Sequence, residues 1–117
     1  MNKLHLIQVQ AIYAKNEPLH TYLKSKGLNK QSNIFFTENG RDDYSNIMML
    51  SESGHFYRFV VENGKYSYIL FNDPQLLSEA IRITVWAVNS GKYPYYEETL
   101  KLINRNLNYA QPSQGLF

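Results

Sequence analysis

Residues 55–72 read HFYRFVVENGKYSYILFN. Two runs rich in aromatic and β-branched residues flank Asn63-Gly64, a pair that tolerates positive φ at both positions and so suits a two-residue hairpin turn. That turn sets the register. Counting outward places Glu62 opposite Lys65, Val61 opposite Tyr66, Phe59 opposite Tyr68 and Tyr57 opposite Leu70. Because side chains alternate along a strand, one face of the hairpin carries Tyr57, Phe59, Val61, Tyr66, Tyr68 and Leu70. The other is mixed, with Phe56, Arg58, Val60, Glu62, Lys65, Ser67, Ile69 and Phe71.

On the N-terminal side, Asn33 to Thr37 and Ser45 to Ser51 read as further strands, separated by the polar turn 38–43 and closed by Ser53-Gly54. Leu4 to Tyr13 alternates as a half-buried strand does, although Leu4, Ile7, Ala11 and Ile12 also satisfy a helical spacing. Between them lies one short helix. Asn16-Glu17-Pro18 provides its cap and first turn, Leu19, Tyr22 and Leu23 its apolar face, and Gly27 with Leu28 its left-handed stop.

On the C-terminal side, Asp73-Pro74 opens a longer helix that Gly91 closes. Leu77, Ala80, Ile81, Thr84 and Val88 form one stripe, widened by Leu76, Ile83 and Ala87, so the helix is expected at the centre of the core. A third helix is expected from Pro94 to about Asn108, with Tyr96, Leu100, Ile103 and Leu107 inward. The short Gly91-to-Tyr93 link makes the two a hairpin. The expected fold is thus α+β: an antiparallel sheet of four or five strands, its apolar face covered by the C-terminal helix hairpin, with the first helix at an edge or on the same side. Residues 1–109 form one domain and 110–117 a flexible tail.

A chain of 117 residues supports one core, and no run approaches the ~18 apolar residues of a membrane span. The first residues lack the apolar core of a secretory signal, which leads to the expectation of a cytoplasmic protein without membrane partners. There is no cysteine, which excludes disulfides, thiolate nucleophiles, zinc ribbons and iron–sulfur clusters. His5, His20 and His55 show no metal-ligand spacing, and Gly40, Gly54 and Gly64 lie in separate turns rather than in a phosphate loop. No cofactor, no metal and no enzyme activity are expected. A metal-independent ribonuclease built from His55, Arg58, Glu62 and Lys65 is the alternative that side-chain chemistry alone leaves open.

The composition is unusual in its rings: ten Tyr, six Phe and one Trp. Tyr, Trp and Arg are the residue types that dominate protein interfaces, so Trp86, Arg82, Tyr93, Tyr95, Tyr57 and Arg58 are the expected partner-binding residues. The charge is also uneven. Residues 1–30 hold Lys3, Lys15, Lys24, Lys26 and Lys30 against Glu17, whereas residues 31–62 are mainly acidic, giving a basic and an acidic end. The function expected from this combination is a non-catalytic protein-binding module of the accessory inhibitor or immunity type, as phages, mobile elements and toxin systems carry. The alternative partner is nucleic acid, met by Lys15, Tyr22, Lys24, Lys26 and Lys30. The helix–strands–helix order is similar to that of double-stranded RNA-binding domains, but Asp73-Pro74-Gln75-Leu76 lacks the lysine cluster of that family. The tail QPSQGLF resembles the Gln-x-x-Leu-Phe peptides that bind sliding clamps, with Gln114 one residue too close and Gln111 two too far.

Overall fold

The computed structural model describes residues 4–38, 44 and 46–110. Five strands, β1 (Leu4–Ile7), β2 (Ile34–Glu38), β3 (Ile47–Leu50), β4 (Phe56–Glu62) and β5 (Lys65–Leu70), form one antiparallel sheet in the order β1-β2-β3-β4-β5. Four helices accompany it: α1 (Val9–Lys15), α2 (Glu17–Ser25), α3 (Pro74–Asn89) and α4 (Glu97–Ala110). The chain is therefore α+β.

The hairpin follows from its turn. Asn63 and Gly64 take φ of 53° and 76°, and Glu62↔Lys65, Val61↔Tyr66, Phe59↔Tyr68 and Tyr57↔Leu70 pair across β4 and β5. Positive φ at both central residues gives the turn the twist that matches the strands it joins.

The central strands are buried on both faces, which divides the core into two clusters. On one face Ile34, Phe36, Met48, Leu50 and Phe56 meet Leu76, Ala80, Ile81 and Ala87 of α3, with Tyr96 and Ile103. On the other, Phe35, Ile47, Met49 and Phe59 meet Val9 and Ile12 of α1 and Leu19 and Leu23 of α2. The sheet is thus the middle of three layers. Thr99 fastens the C-terminal layer, its hydroxyl donating to the Ser32 carbonyl at 2.8 Å.

Four features depart from the sequence reading. The expected strand from Leu4 to Tyr13 ends at Ile7, and α1 begins at Val9, because Val9 and Ile12 at three-residue spacing both reach the core. There are consequently two N-terminal helices rather than one. They lie on the face opposite α3 and α4, not at an edge or on the same side, since β2 from Ile34 to Phe36 and β3 along its whole length are apolar and buried on both faces and require cover twice. Of the hairpin's apolar face, Phe59, Tyr57 and Tyr66 accordingly pack with the α1–α2 cluster while Val61, Tyr68 and Leu70 stay exposed, and Phe56 and Phe71 of its mixed face meet the C-terminal layer. Finally, Pro94–Tyr96 is a turn of 3-10 helix, with α4 starting at Glu97 and extending through Ala110. The expected flexible tail otherwise lies outside the described residues.

Candidate protein-binding surface

α3 is positioned by its ends. Asp73 Oδ1 accepts from the backbone N–H of Gln75 and Leu76, at 3.0 and 3.1 Å, and Pro74 occupies the first turn where no N–H is needed. With Leu76, Ala80, Ile81, Thr84 and Ala87 turned into the protein, the four-residue spacing leaves Arg82 and Trp86 together on the outer surface. Trp86 is 60% exposed.

Trp86 does not stand alone. An open groove of about 560 Å³ runs between α3 and the outer strand β1, lined by Leu4, His5 and Leu6 on one side and by Arg82, Ile83 and Trp86 on the other, with Glu79 and Tyr93 completing it. Glu79 is buried and Arg82 exposed, and both also line a second cleft, of about 540 Å³, that continues towards Glu38, Phe71 and Asp73. Because β1 is an outer strand, a row of its backbone groups faces away from the sheet.

Tyr93 is held by its neighbours. Its ring stacks on Tyr96 at 5.4 Å with 3° between the planes, and Tyr95 meets Tyr96 edge-on at 4.9 Å. Burial, with Tyr95 and Tyr93 nearby, pushes the Tyr96 phenol well above its ordinary range, and burial followed by the nearness of Tyr93 raises Tyr95. Tyr93, which lines the groove, is thus braced from behind by two further rings.

Of the residues expected to bind a partner, the structure therefore brings Trp86, Arg82 and Tyr93 together and places Tyr95 behind them, half-buried. Tyr57 and Arg58 lie elsewhere. Tyr57 is half-buried on the α1–α2 face, edge-on to Tyr68 at 5.4 Å. Arg58 is engaged by its own protein: its guanidinium lies 4.4 Å over Phe71 and its Nη2 3.6 Å from Glu38 Oε2. The β1 side of the groove, Leu4 to Leu6, carries no local signal that it would meet a helix seventy residues away.

The lysines proposed for nucleic acid are exposed, Lys15 at the end of α1, Lys24 and Lys26 at the end of α2 and beyond it, and Lys30 in the following loop. Tyr22, their expected stacking ring, packs instead between Tyr66 at 5.7 Å and Phe59 at 6.3 Å, and burial, with Tyr68 adding to it, raises its phenol. Lys26 Nζ sits 5.9 Å from that ring. Among the four ribonuclease candidates, His55 contacts Ser53 Oγ at 2.8 Å at the start of β4, while Glu62 and Lys65 face each other at the far end of the hairpin. Seven residues of strand separate them, roughly 20 Å. Among the described residues no group of three or more His, Asp or Glu is arranged to hold a metal ion, and no helix is long and apolar enough to cross a membrane.

No protein-family model matches the chain, nor does any curated protein or any solved structure.

Proposed function

We propose that the chain is a non-catalytic protein-binding module of the accessory inhibitor or immunity type, which blocks a partner protein by seating part of it in the groove between α3 and β1. The observation that carries this reading is Trp86, 60% exposed beside Arg82 and Tyr93 and facing the apolar Leu6 and Ile83. A Trp left in water at the mouth of a groove lined by a braced tyrosine has the composition of an interface hot spot. Arg82 and the half-buried Tyr93 supply polar groups at its margin, where they would fix orientation. The outer backbone of β1 supplies hydrogen-bonding groups to an extended segment laid along it.

Quantitative affinity capture from the native host should recover a partner in stoichiometric amount. Trp86→Ala should weaken that complex by roughly 30-fold or more, the loss typical of a hot-spot residue, and Arg82→Ala by less. Equal capture by the parent chain and Trp86→Ala would sink the proposal.

A further inference from the structure

The opposite edge of the sheet carries a second surface, independent of the groove and four strands away from it. β5 pairs with β4 on one side, and among the described residues nothing pairs with it on the other. It lacks the usual protections of an edge: it runs for six residues, contains no proline and bears a single charge, Lys65, at its start. Leu70 is 58% exposed, Ile69 50% and Tyr68 41%, and Val61 beside them on β4 is 55% exposed.

The hairpin geometry fixes which backbone groups are unpaired. Glu62 and Lys65 close a two-residue turn and so form a hydrogen-bonded pair, and such pairs alternate along an antiparallel ladder. The Phe71 N–H donates to the Phe56 carbonyl at 2.8 Å, in step with that alternation. Lys65, Ser67 and Ile69 therefore spend their N–H and C=O on β4, and Phe71 its N–H. Tyr66, Tyr68 and Leu70 direct theirs outward.

Three donors and three acceptors at every second residue are self-complementary about Tyr68. We propose that β5 is the contact of a two-fold homodimer, in which two copies pair antiparallel through this edge to make a continuous ten-stranded sheet. With Tyr68 opposite Tyr68 of the second copy and Tyr66 opposite Leu70, each pair exchanges two hydrogen bonds, and all outward groups are satisfied. The same register joins Tyr66, Tyr68 and Leu70 of both copies into one apolar stripe on the α1–α2 face. It also brings each Lys65 alongside the other copy's Phe71, two residues from Asp73, so opposite charges approach at both ends. A shift by one residue would set these outward groups against ones already used, which leaves this register favoured.

The exposed parts of Tyr68, Ile69 and Leu70 come to on the order of 280 Å² of apolar surface per copy, to which pairing adds the strand backbone and the edge of Tyr66. That is below the roughly 600 Å² per partner at which stable interfaces begin, so the dimer is expected to be weak, dissociating in the micromolar range or above.

Sedimentation of the full chain from about 1 µM to about 1 mM should show the mass doubling with concentration. Tyr68→Lys and Tyr68→Glu each place like charges on the two-fold axis and should stay monomeric across that range, whereas a one-to-one mixture of the two should dimerise again. The mixture distinguishes lost pairing from lost folding. The chain has no cysteine, so Tyr68→Cys alone should oxidise to a covalent dimer, and Val61→Cys, off the edge, should do so more slowly. A monomer at the highest concentration, a dimer unaffected by both charge variants, or a dimer that forms only after removal of residues 111–117 would each overturn the proposal.

Discussion

β3 and β5 each carry four apolar or aromatic residues and have opposite surroundings. β3, Ile-Met-Met-Leu, is buried at all four positions, whereas β5, Lys-Tyr-Ser-Tyr-Ile-Leu, is exposed at five of six. The difference lies in what covers them. β3 has strands on both sides and a helical layer on each face, so its side chains leave water; among the described residues β5 has one strand beside it, and only Tyr66 of its side chains packs into a core cluster. An apolar strand is a demand for cover, and the topology determines whether this chain or another molecule meets it.

The sharpest way to break that contrast is to truncate the covered strands. Phe36→Ala and Leu50→Ala, both at positions with no exposure, should cost about 3–5 and 2–5 kcal/mol in urea unfolding, a large share of the stability of a domain this size. A loss below about 1 kcal/mol would mean that the central strands are not a close-packed interior.

The same interior has an alkaline signature. Burial raises the Tyr96 phenol above its ordinary value near 10, with Tyr95 and Tyr93 adding to the effect. Above that pH the unfolded chain loses a proton that the folded one retains, so the folded state binds more protons and stability falls as pH rises. The contribution is whole below the unfolded value and is lost as pH climbs towards the folded one. Denaturation midpoints should be insensitive to this group at neutral pH and decline from about pH 10, by up to ~1.4 kcal/mol per pH unit for one phenol. Tyr96→Phe keeps the ring and should flatten part of that decline.

Legibility in the sequence follows the same divide between local and long-range causes. The register of β4 and β5 was readable because Asn63-Gly64 sets it within four residues, and Asp73-Pro74 announced α3 for the same reason. Leu4 to Tyr13 was not, because alternation and helical spacing coexist there and only the burial of Val9 and Ile12 resolves them. Which face of the hairpin met which helices also escaped a local reading, since it depends on β2 and β3 needing cover twice. The groove was half legible. The spacing of Arg82 and Trp86 and the tyrosines after Gly91 pointed to one wall, while the β1 wall arises from a chain reversal that leaves no mark in residues 4–6. Arg58 misled because a half-buried arginine in a strand resembles a free one until Glu38 and Phe71 arrive beside it.

A smaller effect tests how α3 is held over the central strands. Asp73→Ala removes the side-chain acceptor for two N–H groups at the start of the helix and should cost about 1 kcal/mol, while Asp73→Asn should retain most of it. Equal losses in the two variants would assign the effect to charge rather than to capping.

The smallest expected effect carries the contrast furthest. Leu70→Ala deletes the same atoms as Leu50→Ala, but Leu70 is already 58% exposed, so less than half of its side chain contributes to folding. Unfolding measured at submicromolar concentration, where β5 has no second copy, should register a loss under about 1 kcal/mol. Repeating the measurement at high concentration separates two reasons for a leucine at this position: if the penalty grows with concentration, the side chain serves association, and if it is already 2–5 kcal/mol in the dilute monomer, β5 is covered by its own chain and belongs with β3.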